Sequence, residues 1–151
     1  MTADLTLWLV HHGDALGPEI DSTRPLSVTG RDAVARLAQA VAAQGARPRA
    51  VWHSGKLRAR QTAEALWRAC NPLATFAAVR GLQPSDPPQW MRDFLLVEEG
   101  EVMAVGHMPH LPRLLRLLVS GDADRGPDFP THGAVRLVRR SGTWEETGRL
   151  T

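Results

Sequence analysis

The run Leu5-Thr6-Leu7-Trp8-Leu9-Val10, leading without a break into His11-His12-Gly13-Asp14, constrains this chain more than any other feature. Five of its six residues are apolar, so both faces of a strand formed here need cover. That is the mark of a parallel sheet sandwiched between helices. The run is too short to cross a bilayer, and neither a cationic stretch before it nor a cleavage site after it suggests a leader. A soluble, cytoplasmic protein is the expectation. The carboxyl end of such a strand is where open α/β sheets hold their ligands. Here that end carries two imidazoles, a glycine and a carboxylate.

The 151 residues suffice for one domain spanning 1–151, with its own core. Cys70 is the only cysteine, which excludes an intramolecular disulfide framework and suits a reducing compartment. Its place on an apolar helix face gives it no reactive role. The formal charge is only +2, and the arginines are scattered, with Lys56 the single lysine. No basic run reaches the length of a nucleic-acid or membrane patch. A pocket for a small anion fits this charge better than an extended phosphate track.

Periodicity divides the rest into alternating elements. A polar stretch from Asp14 to Leu26 precedes a helix from about Val28 to Gln44, capped by Ser27 or Thr29 and stopped at Gly45. Ala50–His53 reads as a short strand and Leu57–Cys70 as a helix with Ala63, Leu66 and Trp67 inward. Thr75–Val79 is a third strand. Trp90–Val97 is a helix with Met91, Phe94 and Leu95 on its core side, and Glu101–His107 is a fourth strand. Leu111–Val119 is a leucine-rich helix, with Pro109 suited to its first turn, and Ala134–Val138 and Thr143–Thr147 close the chain around Ser141-Gly142. The alternation predicts a three-layer α/β sandwich: a mostly parallel central sheet with helices on both faces. Right-handed crossovers then bring His12, Ser54 and His107 to one rim.

The residues at that rim suit phosphoryl chemistry. Arg58 falls in the first turn of a helix, where free amides and the helix dipole already favour an anion. Arginine offers a planar fork matched to phosphate oxygens. A neutral imidazole, with its other nitrogen tied to a carbonyl, can attack phosphorus, while a second imidazole stabilises the transferring charge. Gly13, having no Cβ, lets a ligand approach closely. A metal centre is the competing reading, with His11, His12, Asp14 and His107 as candidate ligands. The positive charge of Arg58 beside them argues against it.

Val10-His11-His12-Gly13-Asp14, Arg24-Pro25-Leu26-Ser27 with Gly30, Leu57-Arg58-Ala59 with Gln61-Thr62, and Gly106-His107-Met108-Pro109 together resemble the histidine phosphatase superfamily. The short length and the Leu82-Gln83-Pro84 segment resemble its small branch, the SixA-type phosphohistidine phosphatases, within the phosphoglycerate mutase-like fold. The resemblance runs from about Leu5 to Ala134. It implies His12 as nucleophile, Arg58 and His107 in the phosphate pocket, Arg24 as a further contact, and neither metal nor organic cofactor. The implied activity is hydrolysis of a phosphoryl group, from protein phosphohistidine or another activated phosphate, through a phosphohistidine on His12. The alternatives are a weakened or inactive phosphate-binding member, or a phosphomonoesterase acting on a small metabolite. The implied partner is a phosphate-bearing substrate, including a phosphohistidine protein, with no nucleic acid or membrane; a monomer or weak dimer is expected.

The chain departs from the pattern at His11, where the family has an arginine of its Arg-His-Gly signature. Losing one preorganised cationic donor costs about 3–4 kcal/mol in the transition state, or two to three decades of rate. A leaving-group acid is the second departure. Asp86 in a proline-rich turn, with Asp14 in reserve, is all the chain offers. Imidazole, with a pKa near 6.5, departs with little help, which tilts the substrate toward phosphoramidates. His53, His110 and His132 read as non-catalytic, with His110 near enough to His107 to line the entrance.

Overall fold

The computed structural model describes residues 2–151. In chain order the elements are β1 (Leu5–His11), α1 (Val28–Ala43), β2 (Ala50–His53), α2 (Leu57–Cys70) and β3 (Thr75–Ala78). They continue with α3 (Pro88–Leu95), β4 (Gly100–Gly106), α4 (His110–Ser120), β5 (Ala134–Arg140) and β6 (Thr143–Leu150). One sheet runs in the order β3-β2-β4-β1-β5-β6. The first four strands are parallel, and β5 and β6 add an antiparallel edge. Because β4 inserts between β1 and β2, the carboxyl ends of these three strands lie side by side.

The apolar run of β1 is covered on both faces, as its composition predicts. Leu5, Leu7 and Leu9 pack with Met91 and Leu95 of α3 and Leu111, Leu114 and Leu115 of α4. The alternate residues Trp8 and Val10 pack with Leu37 and Val41 of α1 and Ala63 and Leu66 of α2. Each aliphatic side chain buried this way contributes roughly 1.5–3 kcal/mol. A one-residue slip of β1 would exchange the two sets. The register pairing Val10 with Val105 and His11 with Gly106 therefore fixes where the rim carrying His12 begins. No helix among the described residues is long and apolar enough to cross a membrane.

Helix ends follow local chemistry. Ser27 caps α1, its Oγ accepting from the Gly30 amide at 2.9 Å. α4 stops at Gly121, which adopts the left-handed φ of 82°. Pro109 stands just before α4, at the N-cap, and not within its first turn. α3 starts at Pro88, two residues before the sequence expectation, because a proline suits the first helical position. It also ends earlier, leaving Leu96 and Val97 exposed. Phe94 is 42% exposed and only edges onto Trp52, so it is not on the core side. Trp67 is half-buried, its indole N–H donating to the Ala74 carbonyl.

The strands β5 and β6 run further than their apolar cores suggest, joined at Ser141-Gly142 with positive φ at both residues. This extension buries Arg139 to 2% exposure. Its guanidinium donates to the carbonyls of Ala3, Leu95 and Glu98 at 2.9, 2.8 and 2.7 Å. A cation without a buried carboxylate is thus held by three backbone oxygens and the Trp144 ring, 5.3 Å from the guanidinium carbon, tying the end of α3 to the segment before β1.

Gly30 explains the spacing of the Arg24-to-Gly30 segment. A Cβ there would collide with the carbonyl oxygen of Asp14, whose carbon would lie only 3.0 Å away. Gly30→Ala is therefore expected to push the loop after β1 off α1. We expect a stability loss of about 1–3 kcal/mol, the range for overpacking, and a fall in activity. Denaturant titration beside a turnover assay checks both.

Candidate active site

His12, the first residue past β1, has its Nδ1–H donated to the Gly13 carbonyl at 2.7 Å. A carbonyl can only accept, so the ring proton is fixed on Nδ1 and Nε2 carries the lone pair. Arg58, in the first turn of α2, donates from its Nε to that Nε2 at 3.4 Å. The guanidinium thus marks where a group bound to His12 would find positive charge. Arg24 adds a second cation. It adopts a φ of 49°, its Nε donates to the Leu16 carbonyl at 2.9 Å, and its charge is felt at both His12 and Arg58.

Gly13 acts differently from the sequence expectation. A Cβ there would strike Val34 of α1 and crowd Leu26, so its missing side chain serves packing against α1. Its amide is also taken, donating to Thr62 Oγ1 at 3.1 Å; the Thr62 hydroxyl in turn donates to the Arg58 carbonyl at 2.9 Å. Gln61 accepts the Leu26 amide at 2.8 Å. The Gln61-Thr62 pair therefore locks the loop after β1 to the helix carrying Arg58.

His107 lies beside His12, with ring centroids 4.9 Å apart. Its Nε2 is 2.6 Å from Ser54 Oγ, while its buried Nδ1 has no partner. Gln83 braces this corner by donating to the Ser54 carbonyl at 2.6 Å. Ser54 and Gln83 were legible only as a rim residue and a family-like segment; the contact between them depends on the fold.

His11 is buried and stacks flat on His132, with centroids 4.8 Å apart and planes 6° from parallel. The backbone N–H of His132 donates to His11 Nδ1 at 2.8 Å. The His11 proton must then sit on Nε2, making it a neutral donor where the sequence resemblance leads one to expect a guanidinium. His132 in turn donates Nδ1–H to the His12 carbonyl at 2.7 Å. A residue read as incidental in the sequence thus belongs to the cluster.

Burial and mutual repulsion keep His11, His12 and His107 neutral. His12 is pushed down to about 4, chiefly by burial, with Arg58 adding to the effect and the Gly13 carbonyl opposing it. His11 and His107 are each pushed to about 3 by burial and then by His12. His107 is therefore neutral at pH 7.

Neither candidate acid aims at the cluster. Asp14 accepts from Ser27 Oγ at 2.7 Å beside the start of α1, and Asp86 accepts the Gln83 amide at 3.0 Å. His53 is buried and accepts the Gly55 amide at 3.0 Å. Ring nitrogens of His11, His12 and His132 lie within 4.8 Å of one another, close enough to raise the question of a metal. The proton on His11 Nε2 and the guanidinium beside His12 both favour an anion there.

His110, expected to line the entrance, is 1% exposed with both ring nitrogens unpartnered. Burial lowers its pKa to about 4, against 6.5 when unfolded. The unfolded chain therefore takes up a proton below pH 6.5 that the folded one refuses until about pH 4. Stability contributed by neutral His110 is full above 6.5 and is lost as pH falls through that window. At about 1.4 kcal/mol per unit, this is on the order of 3 kcal/mol. His110→Leu is expected to flatten the drop in Tm between pH 6.5 and 4, measured by thermal melts across that range.

No family model matches the chain, and no curated protein sequence does. Its fold matches solved structures closely. The protein histidine phosphatase SixA complexed with tungstate is 25% identical, with a TM-score of 0.83 over 97% of this chain and 96% of that one. A structure assigned to phosphohistidine phosphatase SixA from Agrobacterium tumefaciens is 23% identical, with a TM-score of 0.78 over 97% of each chain. Phosphoglycerate mutase from Plasmodium falciparum is 13% identical, with a TM-score of 0.75 over 97% of this chain and 90% of that one.

Proposed function

We propose, from the premise that this chain has the histidine phosphatase superfamily fold in its compact SixA-like form, that it hydrolyses phosphoryl groups through a phosphohistidine on His12. The observation that carries this reading is the wiring of His12. Its proton is held on Nδ1 by the Gly13 carbonyl, and its Nε2 lone pair, the acceptor of a long hydrogen bond from Arg58 Nε, is presented beside that guanidinium. The neutral Nε2 attacks phosphorus, and the bond from phosphorus to the leaving group breaks. Because Nδ1 keeps its proton, the phosphorylated ring is cationic and can later depart as neutral imidazole. Arg58 and Arg24 neutralise the phosphoryl oxygens, with the Nε2–H of His11 as a further donor. The arriving negative charge also raises the pKa of His107, drawing a proton onto it when it is most useful.

The carboxylate-free cluster supports phosphoramidates as the substrate class. With Asp14 and Asp86 both occupied, no carboxylic acid protonates a poor alkoxide leaving group. Phosphoramidates, including protein phosphohistidine, depart without one. A second reading, a phosphate-binding member without turnover, is favoured by one observation: His11 is neutral where a guanidinium would complete the clamp.

Assay in EDTA with a phosphohistidine peptide and with an alkyl phosphomonoester separates these readings. We expect kcat/KM for the peptide to exceed that for the ester by at least about two decades, the usual weight of a general acid. Tight phosphate binding with no turnover of either substrate would establish the second reading. Equal rates on both would point to a small-metabolite phosphomonoesterase.

A further inference from the structure

We infer that His132 is the general base that hydrolyses the phosphoenzyme, an assignment that rests on the phosphohistidine reading of His12. His132 repeats the wiring of the nucleophile. Its Nδ1–H is committed to the His12 carbonyl at 2.7 Å, which leaves the lone pair on Nε2. A ring nitrogen of His132 lies within 4.8 Å of ring nitrogens of both His12 and His11.

The other groups at the rim are engaged. His11 Nδ1 accepts a backbone N–H at 2.8 Å, and its Nε2 carries the proton. His107 Nε2 is bonded to Ser54 Oγ at 2.6 Å, and its Nδ1 is buried away from solvent. The Asp14 carboxylate is held by Ser27 at 2.7 Å and that of Asp86 by the Gln83 amide at 3.0 Å. Once His12 is phosphorylated, His132 offers the remaining imidazole lone pair in the cluster. It is half-buried and also borders an open groove of about 480 Å³ lined by Arg36, Leu37 and Thr131, so one edge of its ring meets solvent.

In the hydrolytic step a water oxygen forms a bond to phosphorus as the bond from phosphorus to His12 Nε2 breaks. The electron pair of that bond returns to His12, which leaves neutral because Nδ1 has kept its proton. One proton of the water passes to His132 Nε2, and inorganic phosphate departs with the other. The His12 carbonyl, already accepting from Nδ1–H, stabilises the imidazolium formed on His132. The proton then leaves to solvent.

The backbone at His132 chooses the variants. Its φ of 54° lies in the left-handed region, which glycine and asparagine both tolerate. His132→Gly and His132→Asn retain the main-chain N–H that positions His11. Rapid-quench measurements with phosphoramidate as phosphoryl donor separate formation of the phosphoenzyme from its decay. We expect formation within a few-fold of the unmodified protein, and decay slowed about 100-fold or more in both variants, the range for a lost general base. The phosphoenzyme should accumulate, and free imidazole should restore decay in His132→Gly by occupying the vacated space. Unchanged decay in both variants, or formation and decay slowed together without rescue, would overturn the assignment. Turnover without phosphoenzyme in the unmodified protein would instead overturn the reading of His12 on which it rests.

Discussion

His12→Ala is expected to remove turnover of phosphohistidine peptide or phosphoramidate by about five to six decades, the scale on which a covalent nucleophile fails. Neither His11 nor His107 can take its place. His11 presents a protonated Nε2, and His107 is held by Ser54. The loss should lie in kcat, with phosphate still bound by Arg58 and Arg24. The substitution carries a second readout. Repulsion from His12 is the largest charge effect lowering both His11 and His107, so both should titrate higher in the variant. Carbon-detected NMR of the imidazoles would register that rise even where activity is unmeasurable. Substantial residual turnover would show that phosphorus is attacked by another group.

Arg58→Ala ranks second, with an expected loss of about three decades in kcat/KM, the range for removing a charged clamp from phosphoryl transfer. Folding should survive, because Thr62 bonds to the Arg58 backbone carbonyl and not to its side chain. The pH profile gives an independent check. In the unmodified protein, kcat/KM is expected to fall as pH drops through about 4, where His12 would take up a proton and lose its nucleophilic lone pair. Arg58 contributes to that depression, so removing it moves the acid limb to higher pH. Arg58→Lys returns a charge without the planar fork, and should recover the position of the acid limb better than the rate. An acid limb that stays in place in Arg58→Ala would separate the guanidinium from His12.

The sequence disclosed the parts of this site that follow from local pattern. An apolar run dense enough to need two covers makes β1 central, and parallel crossovers then place His12, Ser54 and His107 on one rim. It disclosed less where tertiary contact decides. His132 lies 120 residues from His12, in a loop with no periodic signal. It reaches the site because β5 runs antiparallel to β1, pairing Ala134 with Val10, so the loop before β5 ends where β1 ends. Local pattern does not encode the direction of β5, and that direction is what brings the loop to the rim. Arg139 was equally hidden. Nothing in Val138-Arg139-Arg140 separates an exposed arginine from one that three backbone carbonyls hold in the interior. His110 was placed at the entrance by proximity in sequence, whereas the first turn of α4 rotates it into the core. His11 was recognised as standing where an arginine belongs. Its stack on His132, and hence its donor role, depends on a partner that only folding supplies.

The most direct measurement is a rapid acid-free quench of the protein with phosphoramidate in EDTA, followed by peptide mapping. A single phosphoryl group, stable in alkali and lost in acid, is expected on His12, forming at least as fast as phosphate is released. Turnover with no phosphoenzyme, or with the phosphoryl group on any other residue, would contradict His12 as the nucleophile.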